Sequence, residues 1–275
     1  MIREKLQSRY PSEEVDGLIR LIFEKVLGLT RLEMHMRQNE TISEAKLTQI
    51  ADIVNRLAKH EPIQYILGET EFYGLKYNVS PSVLIPRPET EELVDWILND
   101  HQDSINRLLD IGTGSGCIPI SIAINRKTEH AEGWDISTDA LEVAKYNALK
   151  NSTKIQFSEF DILCWEKIPL IVKWDIIVSN PPYVMRKEHD LMLKNVTDFE
   201  PHLALFVEDN DPLLFYQKIS DFAFNYLNNN GYLYFEINES LGKEVVALLQ
   251  STGLGDVVLR KDINGKDRMV RAQKQ

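Results

Sequence analysis

The stretch Leu108-Leu-Asp-Ile-Gly-Thr-Gly-Ser-Gly116 constrains this chain more than any other. Apolar residues that read as the end of a buried strand run straight into three glycines in five residues, and a helix over 118–125 follows. An ordinary strand-to-helix turn rarely needs that much conformational freedom. The glycines at 112, 114 and 116 let the backbone turn tightly and meet a ligand with no Cβ in the way. In open α/β sheets ligands bind at this place, beyond the carboxyl end of a strand.

The flanking pattern repeats the unit. A strand at 130–135, a helix at 137–150, strands near 155–157 and 175–179, a helix at 212–227, a strand at 232–237 and a helix at 240–250 give the rhythm of a mostly parallel sheet. A closing pair, 257–261 and 268–272, meets across Asn264-Gly265, a hairpin signal that makes the last strand antiparallel.

Ahead of this lies different material. Val15, Leu18, Ile19, Ile22, Phe23, Val26 and Leu27 recur at helical spacing, as do Leu47, Ile50, Val54 and Leu57 after a capping Ser43. With shorter helices near 2–9 and 31–37, residues 1–62 read as a small helical domain. Gln64 to Val79, rich in β-branched and aromatic residues, reads as an extended hairpin within a linker over 63–83, and 84–275 as the α/β domain.

Composition narrows the function classes. Lysine plus arginine number 31 against 42 acidic residues, a net charge of −11 that weighs against a nucleic-acid partner, whose phosphates need neutralising. Two cysteines, Cys117 and Cys164, and six histidines without ligand spacing suggest neither a disulfide framework nor a metal site. With no signal-type leader and no apolar run near the roughly 18 residues of a membrane span, the expectation is a soluble cytoplasmic protein without membrane contact.

Candidate site residues cluster at strand ends. The G-x-G-x-G spacing of Gly112, Thr113, Gly114, Ser115 and Gly116 differs from the G-x-G-x-x-G of dinucleotide enzymes, which demotes an NAD-dependent oxidoreductase. Asp135 closes the second strand 19 residues after Gly116 (135 − 116), placed either to accept ribose hydroxyls or to cap the following helix. Trp165 sits where an aromatic ring stacks on adenine or packs in the core, and spacing leaves the two readings equal. The fourth strand runs into Asn180-Pro-Pro-Tyr183, where two prolines end both sheet and helix. Such a rigid strand end, presenting the Asn180 amide, the Pro181 carbonyl, Pro182 and the Tyr183 ring, suits a planar –NH2 group.

With these residues in place the chain resembles the PrmC/HemK family, bacterial methyltransferases that modify the glutamine of the Gly-Gly-Gln loop in peptide chain release factors. The likeness covers nearly the whole chain. It rests on Glu61-Pro-Ile-Gln-Tyr-Ile-Leu-Gly68, Phe72-Tyr-Gly74, Ile85-Pro-Arg-Pro-Glu-Thr-Glu91, Asp110 to Cys117, Asn180 to Tyr183 and Phe199-Glu-Pro-His-Leu-Ala-Leu205. Pro119 and the glycine-poor stretch from Val207 to Pro212 depart from the family pattern without touching the candidate chemical residues.

The resemblance implies a Rossmann-like class I methyltransferase sheet and S-adenosyl-L-methionine as cofactor, held by Gly112 to Gly116, Asp135, Trp165 and Asn180. It implies a substrate amide held by Asn180 to Tyr183, with Asn180, Pro181 and Tyr183 serving the chemistry, and a helical N-terminal domain that helps hold class I release factors. Asn-Pro-Pro-Tyr alone is shared with adenine N6 methyltransferases of nucleic acid, the runner-up reading. A module that binds the cofactor without catalysis is a third. Arg87 and Glu89 remain unplaced between pairing with each other, capping a helix and lining the pocket.

Overall fold

A computed structural model describes residues 2–37, 40–167 and 172–275. The chain divides into two compact units, Met1–Glu69 together with Leu193–Phe199, and Thr70–Met192 together with Glu200–Gln275.

The first unit is helical: α1 (Ile2–Leu6), α2 (Ser12–Leu27), α3 (Arg31–Met36), α4 (Glu44–Leu57) and α5 (Ile63–Leu67). Val15, Leu18, Ile22 and Val26 of α2 meet Ile50, Ile53, Val54 and Leu57 of α4 in one apolar cluster, as the three-and-four spacing requires. Gly28 ends α2 in the left-handed conformation, its N–H bonded to the Glu24 carbonyl. Thr30 and Glu33 close a capping box on α3. Ser43 stands at the start of α4 but makes no side-chain capping bond.

Helix α5 corrects an expectation. Gln64 to Leu67 are helical rather than extended, because Pro62 sets the entry, Ile63 and Tyr65 are buried, and Gly68 caps the end in the left-handed region. The hairpin itself is β1 (Glu69–Phe72) and β2 (Leu75–Asn78), turned by Tyr73 and Gly74, both with positive φ.

In the second unit, β3 (Ile105–Ile111), β4 (Thr128–Asp135), β5 (Gln156–Glu159), β6 (Trp174–Ser179), β9 (Leu227–Glu236), β10 (Gly255–Lys261) and β11 (Asp267–Gln273) form a seven-stranded sheet in the order β10-β11-β9-β6-β3-β4-β5. Strand β11 runs antiparallel to both its neighbours, and the pairs from β9 through β5 are parallel. Two short strands, β7 (Val184–Met185) and β8 (Phe206–Val207), pair apart from it. The closing hairpin forms as expected, but its turn is organised by Asp262, whose side chain accepts from the N–H groups of Asn264 and Lys266.

The described residues hold six further α-helices, α6 (Pro88–Asp100), α7 (Cys117–Asn125), α8 (Thr138–Lys150), α9 (Lys194–Thr197, in the first unit), α10 (Leu214–Tyr226) and α11 (Gly242–Ser251), and three short 3-10 helices. Strand alternation sorts the sheet's two faces. Leu109, Ile177, Leu233 and Phe235 pack with Tyr216 and Phe222 of α10 and Val245 and Leu249 of α11. Leu108, Ile176, Val178 and Tyr234 pack with Leu93, Val94 and Ile97 of α6 and Ile118 and Ile120 of α7. Strands covered on both faces need apolar residues at successive positions where the helices cover them, as at Leu108-Leu109 of β3 and Ile176-Ile177-Val178 of β6. Among the described residues no helix is long and apolar enough to cross a membrane.

Candidate functional site

Strands β3 and β6 are parallel neighbours with Ile111 opposite Ser179, and the Ser179 hydroxyl donates to the Ile111 carbonyl at 2.6 Å. Their carboxyl ends therefore stop side by side, and the chain leaves one as Gly112 and the other as Asn180. Both border a cavity of about 210 Å³ whose wall includes Gly112, Gly114, Asp135, Asn180, Pro181 and Pro182. Thr113 and Ser115 also line it.

All three turn glycines have positive φ, and a Cβ built on Gly112 or Gly114 would meet no atom within 4 Å. The space in front of them is open to a ligand. Asp135 secures the turn: one carboxylate oxygen accepts from the Gly114 N–H at 2.8 Å and the other from the Ser137 N–H at 2.9 Å. Burial raises its carboxyl above the ordinary value, against the pull of these backbone donors. Ser137 itself caps α8 by accepting from the Ala140 N–H. Each Asp135 oxygen keeps lone pairs for a further donor.

Asn147 of α8, which sequence reasoning did not single out, is fully buried and ties three points together. Its amide donates to the carbonyls of Ser115 and Asn78 and accepts from the Asn78 N–H. At the start of the turn, Asp110 is fully buried; its two carboxylate oxygens and the Thr113 hydroxyl have no hydrogen-bond partner among the described residues. Burial pushes the Asp110 carboxyl up to about 7. Unpartnered acceptors of this kind are costly unless something else satisfies them. A ribose-bearing cofactor fits the open glycine turn and Asp135, which line the cavity.

The second strand end is held by side chains. The Asn180 amide nitrogen donates to the Thr90 hydroxyl at 3.3 Å, and Thr90 donates to Glu236 at 2.6 Å. The Tyr183 hydroxyl donates to the other Glu236 oxygen at 3.0 Å. Thr90 lies in the first turn of α6 and Glu236 ends β9, so residues distant in sequence converge beneath Asn180.

The Tyr183 ring packs against the core below the turn, and the cavity wall includes Asn180, Pro181 and Pro182 but not Tyr183. Burial, with Glu236 beside it, raises its hydroxyl well above the usual tyrosine value. Arg87 is placed as well. It lines the cavity and pairs with buried Glu200 at 2.5 Å, while the second Glu200 oxygen accepts from the Ile85 N–H at 3.1 Å.

Trp165 is not in the wall either. Its ring packs edge-on against Phe222 and Tyr226, and Phe160, Ile162 and Leu163 border the cavity instead. The segment Ile162–Lys167 is a 3-10 stretch with a kink at Cys164, a geometry that spacing alone does not reveal.

A mostly parallel seven-stranded sheet with β11 reversed, and a glycine turn beside an Asn-Pro-Pro-Tyr turn at adjoining strand ends, define an S-adenosylmethionine-dependent methyltransferase. Residues 1–68 match the PrmC N-terminal domain and residues 90–199 the methyltransferase small domain. The chain is 45% identical to the release factor glutamine methyltransferase of Flavobacterium psychrophilum, over 98% of this chain and 95% of that protein. It is 45% identical to the protein of the same name from Bacteroides thetaiotaomicron, over 99% and 98%. The crystal structure of a methyltransferase from Pyrococcus furiosus shares the fold, with a TM-score of 0.51 at 16% identity, covering 84% of this chain and 99% of that one. The chain belongs to the release factor glutamine methyltransferase family.

Proposed function

We propose that this protein methylates the side-chain amide nitrogen of the glutamine in the Gly-Gly-Gln loop of class I peptide chain release factors, in the cytoplasm. The observation that carries the reading is that Asn180 and the glycine turn border one cavity from adjacent strands. Cofactor and acceptor amide then meet at the same wall. On this reading residues 1–62 help to hold the release factor, 63–83 link, and 84–275 carry the reaction.

An amide nitrogen is a weak nucleophile because its lone pair is delocalised into the carbonyl. The Asn180 side-chain oxygen and the Pro181 carbonyl each accept one N–H of the target glutamine, which leaves charge on nitrogen and aims it. Pro181 and Pro182 hold that backbone rigid, and Tyr183 anchors it from below through Glu236. When bound, S-adenosylmethionine supplies an electrophilic methyl group on a sulfonium. Gly112 and Gly114 would make room for it and Asp135 would accept from its ribose hydroxyls, whereas Gly116 is outside the cavity wall and its missing Cβ lets Ile120, Ala144 and Phe157 pack close. Phe160, Ile162 and Leu163 would form the apolar side of the pocket for the adenine, and Trp165 packs into the same core cluster as these residues. The nitrogen loses its proton with or after transfer, and no side chain is assigned as general base.

The test is incubation with methyl-labelled S-adenosylmethionine and a release factor, beside a copy of that factor whose Gly-Gly-Gln glutamine is alanine. Label confined to the intact factor supports both reaction and target. Label on neither, with label on adenine in nucleic acid, would overturn the reading in favour of a nucleic-acid enzyme.

A further inference from the structure

We propose that Glu236, acting through Thr90, is a positioning residue that decides which end of the Asn180 amide faces the substrate. This rests on the acceptor role given to Asn180 above, and it follows from counting protons along a chain of hydrogen bonds.

Glu236 is 1% exposed, and both its oxygens are engaged, one by Thr90 at 2.6 Å and one by Tyr183 at 3.0 Å. Both bonds are donated to the Glu236 oxygens and favour the ionised form against the burial that raises its carboxyl, and an ionised carboxylate only accepts. The single hydroxyl proton of Thr90 is therefore committed to Glu236, and towards Asn180 the Thr90 oxygen has only lone pairs to offer. It must receive the amide –NH2, as the 3.3 Å contact from the Asn180 nitrogen has it. That turns the Asn180 oxygen away from Thr90 and leaves it to accept from a bound amide.

The two ends of a carboxamide have the same shape, so packing alone does not choose between them; the hydrogen-bond network does. A group at 236 able to donate to Thr90 would free the Thr90 proton to point at Asn180. The Asn180 amide would then turn over and present –NH2 to the substrate –NH2, donor against donor. Thr90 belongs to the Pro-Arg-Pro-Glu-Thr-Glu run and Asn180 to the Asn-Pro-Pro-Tyr run; the two bond directly, and Glu236, which belongs to neither run, accepts from Thr90 of one and Tyr183 of the other.

The experiment compares wild type with E236Q, T90V and T90S. Three quantities are measured: kcat and KM on a release factor, S-adenosylmethionine affinity by calorimetry, and the Asn180 side-chain –NH2 signals in asparagine-labelled protein by NMR. T90V keeps the shape of threonine and lacks the hydroxyl; T90S restores it. The expected result is a kcat loss of ~10- to 100-fold in E236Q and T90V, with cofactor affinity and KM within ~3-fold of wild type and near-normal turnover in T90S. The Asn180 –NH2 signals should shift in T90V and E236Q and hold in T90S. Wild-type kcat in folded T90V and E236Q would overturn the proposal, as would T90S failing like T90V. If wild type labels no release factor, the substrate reading falls. Unmoved Asn180 signals in T90V would then separately sink the assignment of Thr90 and Glu236.

Discussion

The turn after β3 and the turn after β6 leave neighbouring strands at the same end of one sheet, yet they are built from opposite materials. From Gly112 to Gly116 the backbone adopts left-handed conformations at every second residue, with no side chain before it at 112 or 114. From Asn180 to Tyr183 two prolines remove that freedom, and buried Thr90 and Glu236, with half-buried Tyr183, hold the remaining groups from beneath. The first turn makes room, and what it must bind is large and is recognised along its length. The second is held rigid from beneath, and on the function proposed above it holds a small planar group at one angle. Substitutions at the two turns should accordingly separate binding from turnover.

The largest effect is expected at the second turn. Asn180→Ala should lower kcat by ~10²-fold or more while S-adenosylmethionine affinity changes far less. Affinity falling in step with kcat would erase the contrast between the turns. At the first turn the reverse is expected: Gly114→Ala strains a residue with φ of +52° and should weaken cofactor binding by ~10-fold, at a stability cost of ~1 kcal/mol. Turnover at saturating cofactor should stay near wild type, and calorimetry beside steady-state kinetics would show otherwise.

The smallest effect concerns Asp110, at the root of the first turn. Its carboxyl is raised from 3.8 to about 7 by burial, so folding favours the neutral form. The stability it contributes is full below the ordinary value and is lost as pH rises through the folded one. In Asp110→Asn the fall in Tm between about pH 5 and about pH 8, without cofactor, should shrink by roughly 5 °C. Parallel melting curves for the two proteins would show that Asp110 does not titrate in this window. Cofactor binding in the variant should weaken.

What sequence reveals here follows how locally each feature is determined. The alternation of strand and helix, the glycine turn and the Asn-Pro-Pro-Tyr turn depend on neighbours in the chain, and they are legible there. Asp135 is legible as either a helix-start acceptor or a ligand acceptor, and the structure shows its oxygens already tied to Gly114 and Ser137. Glu236 is not legible, because its meaning comes from Thr90, 146 residues away. Asn147 is hidden for the same reason: on α8 it is one polar residue among several until the fold brings Asn78 and Ser115 to it. Trp165 is legible as either a ring against adenine or a core residue, and the structure shows it packed edge-on against Phe222 and Tyr226 beyond a kink at Cys164 that spacing does not reveal. The grouping of Leu193–Phe199 with the helical unit rests wholly on contacts distant in sequence.

The position of β11 between β9 and β10 bears on how the molecule is made. A ribosome delivers β3 through β10 before it delivers β11, so until then β10 lacks the strand it pairs with and the edge of β9 is unpaired. Such an edge is a template for wrong partners until its own strand arrives. The fold therefore cannot close progressively along the chain, and its final cooperative step waits on synthesis as far as Gln273. An enzyme that serves translation termination thus depends on its own translation reaching that point before its catalytic unit can be whole.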